Sequence, residues 1–169
     1  MPNDSYPPSG PLIDDEHAAF LTAGVSISVG SRNADHFPNL TRGLGCRIAD
    51  DRSRLAVFVV AEQSRELLDD IRGNGHVAVV FSQPSTHRTV QLKGVDGAIE
   101  VLGNGDRQCI DGYRRAFTDE LGALGYGSLF VQTLLDGSGS EIVAVSFTPS
   151  AAFQQTPGPL AGRPLGEVR

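Results

Sequence analysis

The sequence lacks a long apolar run and a surplus of basic residues. Its longest apolar run, residues 55–61, is far shorter than the roughly 20 residues that a membrane-spanning helix needs. Residues 1–11 show neither the basic start nor the apolar core of a signal peptide. Lysine and arginine number 14 against 20 acidic residues, and a net charge of −6 disfavours a nucleic-acid partner. We therefore expect a cytoplasmic protein with no membrane or nucleic-acid partner.

Cysteine, histidine and lysine are scarce. Cys46 and Cys109 form no CxxC pair, which predicts a reduced chain with two buried thiols. The four histidines lack the close spacing of a zinc site, and we predict no metal site. Lys93 is the only lysine, so arginine supplies nearly all the positive charge. The planar guanidinium group suits phosphate and carboxylate ligands.

Motifs of nucleotide-dependent enzymes and hydrolases are also absent. Residues 43–45 and 103–105 each lack the third glycine of a dinucleotide-binding fingerprint. The sequence has neither the GxxxxGK[ST] phosphate loop nor the GxSxG nucleophile elbow. These absences disfavour an NTPase, a dinucleotide-binding protein of that type and a serine hydrolase.

Proline and glycine set the expected domain boundaries. The chain is long enough for one compact domain. We predict a disordered N-terminal arm over residues 1–11 and a folded domain over residues 12–148. A Pro/Gly-rich C-terminal tail follows over residues 149–169. Phe153 and the turn over residues 156–159 predict that the tail is packed, either on its own domain or on a partner subunit.

Hydrophobic periodicity predicts mostly strands. The predicted strands cover residues 25–30, 40–48, 55–60, 77–81, 90–101 and 142–147. The strand over 40–48 is weakened by Gly43 and Gly45. In the strand over 90–101, the apolar positions change parity at Gly94, which predicts a β-bulge in one long bent strand.

Helices are fewer than strands. Steps of three and four between apolar residues predict helices at residues 14–22, at residues 64–73 with Gly73 as the end, and after Asn104 or Asp106. A doubly wound parallel sheet needs a crossover helix for each strand, and only one helix lies between the early strands. The sequence therefore predicts a mainly β, α+β fold, in which an antiparallel barrel carries peripheral helices.

A polar loop and a helix start follow directly after the buried strand at residues 55–60. A helix N-terminus offers free N–H groups and a positive dipole end. Ser64 at the cap position and Arg65 in the first turn add strong donors for an anion. This segment predicts a phosphate pocket, and the ordinary alternative is a simple N-cap followed by a solvated arginine.

Two further segments carry ligand-binding residue types. Thr89, Gln91 and Lys93 share one face of a strand, where their polar groups suit the edge of a heteroaromatic ring. The commoner fate of such a row is a solvated strand face. Beside Arg42, Gly43 permits either close approach of a ligand to the backbone or a bulge.

Taken together, these three segments resemble the pyridoxamine 5′-phosphate oxidase-like flavoproteins over residues 20–103. That family shows a Pro-x-x-Arg-like strand, a Ser-Arg-Lys helix start and an Arg-x-Val-x-x-x-Gly strand. Here they look like Pro38 with Arg42, Ser64 with Arg65, and residues 88–94. The resemblance implies an antiparallel split β-barrel and a homodimer, with FMN bound between the subunits.

The resemblance also implies which residues bind the cofactor. They are Arg42, Gly43, Val59, Val60, Ser64, Arg65, Thr89 and Gln91. In this carry-over Ser64 and Arg65 hold the FMN phosphate, and Arg42 with the neighbouring backbone contacts phosphate or ring. Thr89 lies near the flavin ring, and Val59 and Val60 pass beside the ribityl chain.

The predicted function is that of an FMN-dependent oxidoreductase acting on a small molecule. FMN would supply the redox chemistry, so no catalytic side chain is named. Glu66 stands where the family often has lysine, and the C-terminal substrate signature of the oxidase is absent. One alternative is a non-catalytic flavin- or haem-binding module of the stress-response type, with His36 or His87 as axial ligand. Another is a dimeric barrel whose site has degenerated.

Overall fold

A computed structural model describes residues 12–137 and 139–165, so the predicted N-terminal arm lies outside the described residues. The helices are α1 (Asp15–Leu21), α2 (Arg65–Asn74), α3 (Asp106–Ala123) and α4 (Ser128–Leu134). The strands are β1 (Ser26–Arg32), β2 (Pro38–Arg42), β3 (Cys46–Ile48), β4 (Leu55–Val60), β5 (Val77–Ser82), β6 (Thr89–Gly94), β7 (Ala98–Val101), β8 (Ile142–Phe147), β9 (Ala151–Gln154) and β10 (Arg163–Pro164). A single 3₁₀ turn, Glu62–Ser64, leads into α2.

The strands form two antiparallel sheets. The six-stranded sheet has the order β10-β9-β6-β5-β1-β2, and the four-stranded sheet has the order β3-β4-β8-β7. β1, β5 and β6 alternate between buried and half-exposed residues, because only one face of the six-stranded sheet meets the core. β4 is buried along its whole length. This arrangement agrees with the predicted mainly β, antiparallel fold with peripheral helices.

The chain passes between the two sheets at glycines. The predicted strand over residues 40–48 is two strands, β2 in the six-stranded sheet and β3 in the four-stranded sheet. Gly45, between them, has a φ of +109°, which favours glycine. The single bent strand predicted over residues 90–101 is also wrong, since β6 and β7 belong to different sheets. The parity of the apolar positions changes at Gly94 because the chain leaves one sheet there and enters the other. Each strand buries the side chains that face the core from its own sheet.

The helix ends show which local signals operate. Asp14 caps α1, accepting a hydrogen bond from the His17 N–H at 2.8 Å. α2 continues through Gly73 and ends at Gly75, which is left-handed with a φ of 72°. The predicted stop at Gly73 is therefore two residues early, because only Gly75 adopts the backbone conformation of a helix C-cap.

Residues 149–165, within the predicted tail, form regular structure. β9 pairs with β6, and β10 pairs with β9, so this segment extends the six-stranded sheet at one edge. The short helix α4 was not predicted from the sequence. It packs through Val131, and Leu135 directly after it is also buried.

The two cysteines lie in different environments. Cys46 is buried, its thiol donates to the Leu21 carbonyl at 3.2 Å, and burial raises the pKa of the thiol to about 12. Cys109 is exposed on α3, so the prediction of two buried thiols is wrong for this residue. None of the helices in the described ranges is long and apolar enough to cross a membrane.

Candidate functional site

A cleft lies where the chain leaves β4 and begins α2. It has a volume of ≈ 410 Å³ and opens between the 3₁₀ turn and the edge strand β2. The residues that line it are Asn39, Leu40, Glu62, Gln63, Ser64, Arg65, Glu66 and Leu67. The cleft therefore includes the predicted phosphate-binding pair, together with two residues of β2 that the sequence analysis did not select.

Ser64 joins the helix start to β2. Its side chain is 2% exposed, and its Oγ lies 2.8 Å from Thr41 Oγ1. Ser64 occupies the cap position of α2, yet its side chain makes no capping hydrogen bond. Its backbone N–H donates to the Ala61 carbonyl at 3.2 Å. The hydroxyl thus fixes the position of the cleft wall and keeps hydrogen-bonding capacity for one further partner.

Arg65 is the only side-chain cation in the lining of this cleft. It is exposed, and its guanidinium makes no ion pair within residues 12–137 and 139–165. Glu62 and Glu66 line the same cleft and oppose an anion. A free guanidinium at the N-terminus of a ten-residue helix fits a phosphate group, and the two carboxylates reduce the attraction.

Arg42 is not among the residues that line this cleft. Asn39 donates to Asp70 of α2 at 2.8 Å, and Thr41 contacts Ser64, so the odd-numbered residues of β2 face the core side. Because side chains alternate along a strand, Arg42 points to the other face. There its guanidinium donates to Ser26 Oγ at 3.3 Å. Arg42 and Arg65 therefore do not line one cleft within a single chain.

Thr89 and Gln91 share that second face, which we call the outer face of the six-stranded sheet. Val90 and Leu92 point into the core, as the alternation predicts. Thr89 Oγ1 lies 2.8 Å from Ser82 Oγ, and Gln91 Oε1 accepts from Gln155 at 3.3 Å. Since β5 and β1 separate β6 from β2, these residues are three strand spacings, about 14 Å, from β2.

Gly43, Val59 and Val60 belong to the core. Val59 is 0% exposed and Val60 is 3% exposed, so neither side chain lines the cleft. A Cβ on Gly43 would lie 2.6 Å from Ile27 Cγ2 and 2.9 Å from Val57 Cγ1. The glycine is required for close packing where the chain passes between the sheets.

We expect Gly43→Ala to lower the free energy of unfolding by ~1–3 kcal/mol, because the added methyl group overpacks a closed core. Urea denaturation monitored by circular dichroism measures the change. Gly73→Ala is the matched control, since a Cβ there meets nothing within 4 Å and alanine favours the helix. Equal stability of Gly43→Ala and the wild type would contradict the packing role.

The two histidines considered as haem ligands lie far apart. His36 and His87 are exposed, with φ of 64° and 61°, in the β1–β2 and β5–β6 loops. β1 and β5 are antiparallel neighbours, so these loops are at opposite ends of the sheet. Across the described chain, no group of three His, Cys, Asp or Glu residues is arranged to hold a metal ion.

Comparison with known proteins gives the fold. No family model matches the sequence, and no curated protein does. HupZ of Group A Streptococcus is 15% identical over 89% of this chain and 99% of that chain, with a TM-score of 0.54. A histidine-to-alanine variant of HupZ is 14% identical over 83% and 98%, with a TM-score of 0.51.

A pyridoxamine 5′-phosphate oxidase-related, FMN-binding protein from Nostoc punctiforme also matches. It is 11% identical over 81% of this chain and 78% of that chain, with a TM-score of 0.45. Identities this low describe the fold and leave the ligand open. The HupZ match and the two antiparallel sheets confirm the predicted antiparallel split-barrel fold.

Proposed function

We propose that this chain is an FMN-binding flavoprotein, with residues 12–148 as its cofactor-binding domain. It would act as an FMN-dependent oxidoreductase on a small molecule, as a cytoplasmic homodimer. The observation that carries the proposal is the cleft at the start of α2, where the unpaired guanidinium of Arg65 stands beside Ser64. The motif resemblance and the fold support it.

The proposed cofactor site combines a cationic end with a polar sheet face. Arg65 and the N-terminus of α2 would hold the phosphate, because a guanidinium forms paired, charge-assisted hydrogen bonds with it. Arg42, Thr89 and Gln91 would meet the flavin ring through their polar groups. FMN supplies the electron-transfer chemistry when bound, and the side chains of this chain bind and orient it.

A homodimer is proposed because one chain supplies the two parts of the site at separate places. Arg65 is at the α2 end of the cleft, whereas Thr89 and Gln91 are three strand spacings from β2 on the outer face. A second copy laid against the outer face would bring one subunit's cleft to the other subunit's strand. The outer face suits such contact, since Ser28, Val80 and their neighbours are short and half-exposed.

The absorption spectrum of the purified protein tests the proposal. We expect the bands of an oxidised flavin, or their appearance after FMN is added to the apoprotein, together with a dimeric mass by light scattering. A Soret band in place of the flavin bands would indicate that the protein binds haem. A colourless protein that takes up no FMN would overturn the proposal.

A further inference from the structure

A second depression opens on the outer face, at the end of the sheet opposite Thr89. It has a volume of ≈ 390 Å³. The lining residues that define it are Gly30, Arg32, His76, Ala78, Lys93 and Ala151, and we call it the Lys93 pocket. Four residues separate Thr89 from Lys93 along β6, a distance of about 13 Å in an extended strand. The Lys93 pocket shares no lining residue with the cleft at α2, although its Gly30 pairs with Leu40 of the cleft.

The floor of the Lys93 pocket is a row of residues paired across four strands. Gly30 pairs with Ala78, Ala78 with Lys93, and Lys93 with Ala151. Three of the four have a hydrogen atom or a methyl group as side chain, so the space above them stays open. Lys93 is the one member of the row with a long side chain.

The backbone at Arg32 and His76 and the ammonium group of Lys93 are held in place by neighbouring side chains. Asn74 Nδ2 donates to the Arg32 carbonyl at 2.7 Å, and Asn74 Oδ1 accepts from the His76 N–H at 2.8 Å. One side chain therefore fixes the backbone of both residues. The Lys93 ammonium lies 5.1 Å from the centre of the Phe153 ring, a cation–π contact that holds it over the sheet.

The charge of the Lys93 pocket is of one sign. Its lining includes no aspartate or glutamate, and within the described ranges neither Arg32 nor Lys93 forms an ion pair. Two carboxylates near the pocket already accept hydrogen bonds from other side chains. Asp70 accepts from the Ser31 hydroxyl at 2.6 Å, and Asp96 accepts from Arg54 at 3.3 Å. The pocket is therefore locally cationic, although the whole chain has a net charge of −6.

We propose that the Lys93 pocket binds a small polyanion, a molecule that carries phosphate or carboxylate groups. Arg32 presents a planar fork of donors to an oxyanion, and Lys93 adds a compact charge from the other side of the floor. His76 also lines the pocket. This site goes beyond the proposed cofactor function, and it requires that this end of the outer face stays open in the proposed homodimer.

Isothermal titration calorimetry with pyrophosphate and with citrate tests the proposal. The double variant Arg32→Ala/Lys93→Ala should bind ~100-fold more weakly, since each charged hydrogen bond lost weakens binding by about 10-fold or more. Arg107→Ala is the matched control, because Arg107 is exposed and lies outside the Lys93 pocket. Tighter binding of pyrophosphate indicates a phosphate ligand, and tighter binding of citrate a carboxylate ligand.

Two outcomes overturn the proposal. One is the absence of saturable binding of both probes to the wild type, and the other is equal binding by the wild type and a folded double variant. FMN titrations separate this site from the cofactor site. If the protein binds a polyanion but does not bind FMN, the proposed cofactor function is wrong and the proposal for the Lys93 pocket stands. Loss of FMN affinity in the double variant, with displacement of pyrophosphate by FMN, would make the Lys93 pocket the FMN phosphate site and overturn its assignment as a separate site.

Discussion

Replacing Arg47 with alanine is expected to lower the free energy of unfolding by ~3 kcal/mol, the largest effect of any exposed-residue change considered. Arg47 Nε donates to Asp106 Oδ1 at 2.7 Å, and this hydrogen bond raises the pKa of the guanidinium. Asp106 is 0% exposed in the first turn of α3. Its other oxygen accepts from the Gly103 N–H at 2.8 Å. Removal of the guanidinium leaves a buried carboxylate with no countercharge.

The expected value is the lower end of the range for buried pairs, because the Arg47 side chain is 42% exposed and water reaches it. Urea denaturation monitored by fluorescence or circular dichroism measures the loss. In Arg47→Ala/Asp106→Asn the buried charge is gone, so the double variant should recover part of the lost stability. Arg107→Ala, on the exposed side of α3, should change stability little. A loss in Arg47→Ala no larger than in Arg107→Ala would refute the argument.

Arg65→Ala is expected to weaken FMN binding by ~1.5–3 kcal/mol, which is the range for a hydrogen bond to a charged group. Arg65 is the one cation in the lining of the cleft, and its side chain contributes nothing to the core. The fold should therefore be unchanged while the affinity falls. Fluorescence quenching of FMN, titrated with apoprotein, gives the dissociation constant.

Two further variants of α2 make this measurement specific. Arg72→Ala removes an equal charge from the same helix, but Arg72 pairs with Asp69 outside the cleft. It should leave FMN affinity within about twofold, because a distant exposed charge is screened. Glu66→Gln removes a carboxylate that opposes the phosphate and should tighten binding. Unchanged affinity in Arg65→Ala would remove Arg65 from the cofactor site.

Local signals in the sequence were sufficient for much of the fold. Alternation predicted β1, continuous apolar runs predicted β4 and β5, and Asp14 marked the start of α1. The sequence did not predict that the chain passes from one sheet to the other near Gly43 and Gly94. A glycine within a strand pattern is equally typical of a β-bulge and of a change of sheet. α4 was missed since, unlike α1, it has no side-chain N-cap to mark its start.

The candidate site was also partly predictable from local sequence patterns. Ser64 and Arg65 follow a buried strand and open a helix, which is a local pattern. The absence of Arg42 from the cleft depends on how β2 packs against α2, and no local pattern reports that. Arg47 and Asp106 are 59 residues apart in sequence, so their pairing had no sequence signal.

The alternation in the six-stranded sheet has an evolutionary consequence. Inward residues such as Val90 and Leu92 hold the two sheets together, whereas Thr89, Gln91 and Lys93 on the same strand add almost nothing to the core. Selection can therefore exchange the outward residues nearly freely while the inward residues stay constrained. One scaffold can acquire a new ligand through a few outward substitutions, without passing through unstable intermediates.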